Sequence, residues 1–166
     1  DPTIEDVYKK EFQMDDGSSV ELRIVDTSGS DIYDFIRNSS FVSAHAFIFV
    51  ISVTSKASLQ EIETFWKQVT TTKESFDFPT IVVGNKIDLE DERLITKDDL
   101  LNIVKKFTND RPPNSTSPKI DLIETSARTG KNVSLIFESI AQKTLDWHLS
   151  INPPNTDPEK KSSKKK

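Results

Sequence analysis

Apolar and polar residues alternate from Val20 to Val25, the period-two pattern of a strand with one buried face, and Tyr8 to Met14 reads as a strand before it. Asp15-Asp16-Gly17-Ser18 between them has hairpin-turn chemistry, so the pair is predicted to be antiparallel. Ala46 to Ile51 and Thr80 to Val83 are short, continuous apolar runs, which suit strands buried on both faces of a parallel sheet. Ile120 to Ile123 is a weaker third run. Between the runs the period lengthens. Leu59, Ile62, Phe65, Trp66 and Val69 recur at helical spacing, as do Leu100, Ile103, Val104 and Phe107 after the acidic start Thr96-Lys97-Asp98-Asp99. Val133, Ile136, Phe137, Ile140, Leu145 and Leu149 mark a last long amphipathic helix. The order β-β-α-β-α-β-α-β-α predicts an α/β fold with helices on both faces of the sheet.

Two stretches fall outside this pattern. Asn109 to Pro118 is polar and Pro-rich and reads as a loop. Residues 151–166 end in a Lys-rich run and read as a disordered tail behind a domain spanning 1–150. Charge sharpens the contrast. The chain of 166 residues carries a net −5, but Lys160, Lys161, Lys164, Lys165 and Lys166 against Asp157 and Glu159 give the tail +3 and leave the body at −8. An acidic body repels a phosphate backbone, so nucleic acid is not an expected partner. No cysteine is present, which removes disulfides, thiolate metal sites and thiol catalysis from these residues. No apolar run approaches a membrane span, and no secretory leader is visible. His45 and His148 lack ligand spacing, Trp66 and Trp147 sit on apolar helix faces, and the Asn38, Asn114 and Asn132 sequons have no secretory context.

Three short motifs carry the chemistry. Asp26-Thr27-Ser28-Gly29 closes a strand: a carboxylate there can hold Mg²⁺ through water, and a glycine three residues on lets a backbone N–H approach a terminal phosphate. Such a D-x-x-G is also a common turn. Gly84-Asn85-Lys86-Ile87-Asp88 follows the strand Thr80–Val83, at the end where open α/β sheets bind ligands. Asp88 can accept two N–H groups from a guanine edge, which adenine does not offer. Asn85 can tie the loop to its neighbours, and the Lys86 stem can pack on a purine face. The competing reading is a plain Asn/Asp turn. Glu124-Thr125-Ser126-Ala127-Arg128 ends the next strand, where Ser126 can brace Asp88, the Ala127 N–H can reach a base oxygen and Arg128 can cover the ring.

In this order the motifs resemble the Ras family of small GTPases from residue 1 to about 149. Asp1-Pro2-Thr3-Ile4-Glu5-Asp6-Val7-Tyr8 resembles the first switch, Asp26 to Tyr33 the second, and Gly84 to Arg93 the Ras/Rap form of the guanine-specificity loop. The resemblance implies a P-loop NTPase-like three-layer sandwich, mostly parallel with one antiparallel edge strand. It implies a GTP/GDP switch that hydrolyses GTP in signal transduction. Thr3 would ligate Mg²⁺ and sense the γ-phosphate, Asp26 would hold the same metal, and Gly29 would bond the γ-phosphate. Asn85, Lys86, Asp88, Ser126, Ala127 and Arg128 would hold the base. Ile4, Glu5, Asp6 and Tyr8 would form the surface on which an effector with a Ras-binding type of domain docks. A guanine-nucleotide exchange factor and a GTPase-activating protein are the other implied partners.

The sequence departs from the family in three places. No G-x-x-x-x-G-K-[ST] occurs, so the phosphate loop and the first strand and helix of the fold are missing from these residues. The chain is therefore expected to be an N-terminally incomplete GTPase domain, inactive and poorly folded alone. The alternative is a nucleotide-free pseudo-GTPase module that presents the effector loop. Ser30 stands where the family usually has Gln to orient the attacking water, so hydrolysis is expected to be slow. The Lys-rich tail has no cysteine to prenylate, but its charge suits an anionic leaflet. The expected location is the cytoplasm, at the inner face of the plasma membrane where the tail engages lipid.

Overall fold

In the computed structural model, residues 5–14, 17, 19–27 and 34–153 are described. Strands β1 (Glu5–Gln13) and β2 (Ser19–Thr27) form an antiparallel pair in register from Glu5↔Thr27 to Gln13↔Ser19. Gly17, whose φ of 82° suits glycine, closes the turn, its N–H donating to the Met14 carbonyl at 2.9 Å. Helix α1 (Asp34–Ser43) leads to β3 (Phe47–Ser52), α2 (Lys56–Lys73), β4 (Thr80–Asn85), α3 (Lys97–Asp110), β5 (Asp121–Glu124) and α4 (Val133–Ile151). The strands β3, β4 and β5 make a parallel sheet with β4 in the middle.

Two apolar layers bury this sheet. On one face Phe49, Ile51 and Val82 pack with Ile62, Trp66 and Val69 of α2 and Leu100, Ile103 and Phe107 of α3. Trp66 stacks on Phe107 at 4.2 Å between ring centroids, and its indole N–H donates to Asp110 Oδ2. Aromatic stacking of this kind adds about 0.5–1.5 kcal/mol beyond area burial. On the other face Ile81 and Val83 meet Ile136 and Ile140 of α4, joined by Leu22 of β2 and Ile48 of β3. Leu22 thus docks the antiparallel pair on the α4 side.

The α/β class with a parallel sheet and an antiparallel pair is the expected one, but several expectations change in detail. Among the described residues β2 pairs only with β1 and β3 is an edge, the gap expected where the first strand of the fold is missing from these residues. For the same reason Ala46–Ile51 is not buried on both faces. Val50 is 52% exposed, because α4 covers β4 rather than the edge strand beside it. Asn109 and Asp110 belong to α3, not to the loop, since the capping box of Thr96 and Asp99 starts a helix whose apolar face runs on to Phe107. The loop after it is stapled: Arg111 donates to the carbonyls of Phe78 and Pro118, and Asp77 accepts from Ser115, Thr116 and Ser117. Trp66 is core, whereas Trp147 is half-buried and donates to Thr116. Among the described residues no helix is long and apolar enough to cross a membrane. The tail from 154 onward lies outside them.

Candidate functional site

The site is built where β4 and β5 end side by side. Gly84 is required there by close packing: a Cβ would lie 2.6 Å from Leu100 Cδ1 and 3.4 Å from Val53 Cγ1, so α3 presses directly on the strand end. Past Gly84 the loop turns back on itself. Lys86 adopts φ 71°, and the Leu89 N–H closes the turn on the Lys86 carbonyl at 3.0 Å. A left-handed conformation at a non-glycine residue is held by its surroundings, and here the Ile87 N–H donates to the Thr125 carbonyl at 3.1 Å.

Asn85 and Asp88 then join this loop to the one after β5. Asn85 Oδ1 accepts from the Thr125 hydroxyl at 3.2 Å and from the Ala127 N–H at 3.0 Å. Asp88 Oδ1 accepts from the Ser126 hydroxyl at 2.6 Å, and the Ser126 oxygen in turn accepts from the Thr129 N–H at 3.1 Å. Ser126 is almost fully buried, while Asp88 is exposed at the rim. The Ser126 hydroxyl holds the Asp88 carboxyl below its ordinary value; burial opposes this, and its own N–H, Arg128 and Lys86 reinforce it. The result is an ionised acceptor fixed in direction and open to solvent, flanked by the exposed Lys86 and Arg128.

One detail differs from the sequence reading. The Ala127 N–H, expected to point at a base oxygen, is engaged by Asn85 Oδ1, because the Asn85 amide stands directly between the two loops. Three participants had no role assigned to them in sequence, although Thr125 and Arg93 fall within the motifs. Thr125 is buried and bonds Asn85. Asn132, at φ 59°, donates its side-chain amide to the Glu124 carbonyl at 2.8 Å. Arg93 reaches from the first loop to Glu124 at 3.0 Å. An Asn before an apolar helix hinted at a cap; the others required the fold.

The phosphate-side residues are only partly described. Thr3 and Ile4, and Gly29 and Ser30 in 28–33, lie outside the described residues, and Glu5 is described only by its place in β1. Asp26 is exposed near the end of β2, opposite Asp6 in register. Tyr8 is 55% exposed, and its hydroxyl lies 3.4 Å from Asp6 Oδ2; the Asp6 charge, before all else, pushes the phenol pKa up. Among the described residues no group of three carboxylate, His or Cys side chains converges to hold a metal. The donors in question, a carboxylate at Asp26 and a hydroxyl at Thr3, are hard oxygens that fit Mg²⁺.

Known proteins have sequences similar to this one. The model of the Ras family matches residues 1–146. The Ras-like protein 1 of Saccharomyces cerevisiae is 36% identical over 155 residues, covering 93% of this chain and 46% of that protein. A Ras-like protein of Laccaria bicolor is 32% identical over 155 residues, covering 93% and 68%. The Ras-related protein rapC of Dictyostelium discoideum is 31% identical over 154 residues, covering 92% and 52%. The chain thus spans about half the length of two of these relatives and two thirds of the third.

Proposed function

The chain belongs to the Ras family, and from that premise we propose that it is part of a small GTPase that binds GTP and GDP and switches between them in signalling. The observation that carries this reading is the Asp88 carboxylate, fixed by Ser126 and exposed between Lys86 and Arg128. An ionised acceptor held rigidly at the carboxyl end of a parallel sheet suits two N–H donors on one edge of a base. Adenine offers no such pair, and a carboxylate left unpaired against it penalises the wrong base. Asn85 and Thr125 keep the two loops at one spacing, Lys86 and Arg128 cover the ring faces, and Ala127 closes the pocket wall.

On the phosphate side, Thr3 and Asp26 would hold Mg²⁺, which supplies charge neutralisation when bound, and Gly29 would meet the terminal phosphate. Ser30 is too short to orient a water as Gln does, so the intrinsic rate would be low and an activating protein would set the off-switch. Effectors would read Ile4 to Asp6 and the open edge of β1, exchange factors would open the site, and the Lys-rich tail would add weak attraction to an anionic leaflet.

The test is the content of the protein isolated from its own cells under Mg²⁺, then denatured and analysed by ion exchange. About one guanine nucleotide per chain is expected. Empty protein, together with no GDP uptake in vitro, would overturn the switch and leave the nucleotide-free module presenting residues 4–8. GTP as the main species would point to Ser30 as the brake on hydrolysis.

A further inference from the structure

We propose that Arg93, through its fork onto Glu90 and Glu124, is a positioning residue for base selectivity, fixing the far end of the loop that carries Asp88. The inference rests on the guanine-nucleotide reading above and gives a role to the last residue of the Gly84–Arg93 loop, to which the sequence assigned none.

The loop leaves the sheet at Asn85 and rejoins it near Ile95, and both ends are anchored differently. At the near end Asn85 holds the Thr125–Ala127 strand end through one side chain. At the far end the backbone N–H groups of Leu94 and Ile95 both donate to the Val53 carbonyl, at 2.8 and 2.9 Å. Those bonds tether the loop to the residue that follows β3 and do not fix it against the loop after β5. Arg93 does that. Its Nε lies 3.0 and 2.9 Å from the two Glu90 carboxylate oxygens, closing the short turn Glu90–Glu92, while Nη1 donates to Glu124 Oε1 at 3.0 Å and to the Ile95 carbonyl at 3.2 Å. One guanidinium therefore binds its own turn, its own backbone and the last residue of β5.

Glu124 is the telling partner. It immediately precedes Thr125 and Ser126, whose hydroxyls brace Asn85 and Asp88, and its carbonyl is held by Asn132. Asp88 thus hangs between two cross-loop ties, Asn85 on one side and Arg93 on the other, with Ser126 as the contact between. The side chains of Arg93 and Glu124 are 18% and 25% exposed, so this pair is not the solvent-bathed kind that contributes nothing measurable. Lysine offers a single point charge and does not reproduce the fork. Without the far tie the loop keeps its fold through Val53 but loses the fixed distance between Asp88 and the base edge, and selectivity suffers before affinity for the phosphates does.

The experiment compares Kd for GDP and for inosine diphosphate, which lacks the exocyclic amine that Asp88 would accept, in the full chain and in Arg93→Ala, Arg93→Lys and Glu124→Gln. Thermal midpoints are measured alongside. The parent is expected to prefer GDP, and each variant to narrow that preference, about tenfold for Arg93→Ala, with a smaller loss of inosine diphosphate affinity. An unchanged GDP-to-inosine diphosphate ratio with a lowered midpoint would overturn the inference, leaving the fork a purely structural staple. If Arg93→Ala does not fold, the ratio in Arg93→Lys and Glu124→Gln decides the matter by the same rule. A parent with no preference for GDP overturns the nucleotide reading itself, and is seen before any substitution is made.

Discussion

The base-side loops and the antiparallel pair β1–β2 solve opposite problems. At the ends of β4 and β5, functional side chains are tied across to the other loop: Asn85 to Thr125 and Ala127, Asp88 to Ser126, Arg93 to Glu124. In β1 and β2, Asp6, Tyr8 and Asp26 stand exposed, and the pair is held by its backbone ladder and by Phe12 and Leu22 beneath. The first arrangement fixes a recognition geometry before a ligand arrives, which favours selectivity. The second leaves a polar strand face open to a partner, with few side-chain bonds to break on docking. On the proposed function, the base-side loops would discriminate a ligand and the strand pair would be read by a partner.

The strongest way to break that contrast is to remove one carboxylate from each side. Asp88→Ala is expected to weaken GDP binding about a hundredfold and to abolish preference over ADP, since both guanine N–H groups lose a charged acceptor. Asp26→Ala is expected to leave the GDP-to-ADP preference intact and to change only the Mg²⁺ dependence. Competition titrations with and without Mg²⁺ separate the two, and equal loss of base selectivity in both variants would erase the distinction. The pH profile of the parent adds a check. Asp88 is held below its ordinary pKa of 3.8, so its ionised form persists above that value and protonates only as pH falls further. Guanine preference should therefore be flat across the neutral range and down to about pH 4, and vanish only in more acid solution than an unassisted Asp would require.

Packing offers the next comparison. Gly84→Ala puts a methyl group 2.6 Å from Cδ1 of the fully buried Leu100, whose side chain must shift to admit it, and overpacking of this kind costs about 1–3 kcal/mol. Val7→Ala, on the exposed face of β1, should stay within about 0.5 kcal/mol. Urea unfolding of the two variants measures the difference. A third pair concerns the rate. Ser30→Gln is expected to raise single-turnover GTP hydrolysis about tenfold or more, with no effect on GDP affinity, and no acceleration would remove Ser30 as the reason for a slow switch.

Much of this was legible in sequence because local chemistry and fold agreed. Asn85, Asp88 and Ser126 were picked out by type and spacing, and the strand ends bring all three together. The alternation in β2 and the apolar run in β4 point to the hairpin and the buried strand, since period two marks a strand with one buried face and a short continuous apolar run suits one buried on both. What did not read out depends on long-range contact. Arg93 ends the Gly84–Arg93 loop without a role that sequence could assign until Glu124, 31 positions later, is seen beside it. Val50 belongs to an apolar run, yet its exposure depends on where α4 lies. The Ala127 N–H donates to Asn85 because loop spacing, which no motif encodes, places that amide oxygen 3.0 Å from it.

The smallest expected effect is also the sharpest test of the contrast, because it sets two ion pairs of equal formal charge against each other. Lys9 and Glu21 pair across β1 and β2 at 3.1 Å, with side chains 64% and 60% exposed. Water and salt screen such a pair, and holding two long side chains in one rotamer costs about what the attraction returns. Arg93 and Glu124 lie at 3.0 Å but are largely shielded, and the guanidinium makes further bonds to Glu90 and to a carbonyl. Lys9→Ala should shift the thermal midpoint by no more than about 1 °C, and raising the salt concentration should hide even that. Arg93→Ala should lower the midpoint by several times as much and stay salt-insensitive, because it strands a half-buried Glu124. Equal shifts for the two would mean that the base-side loops are no more firmly built than the strand pair.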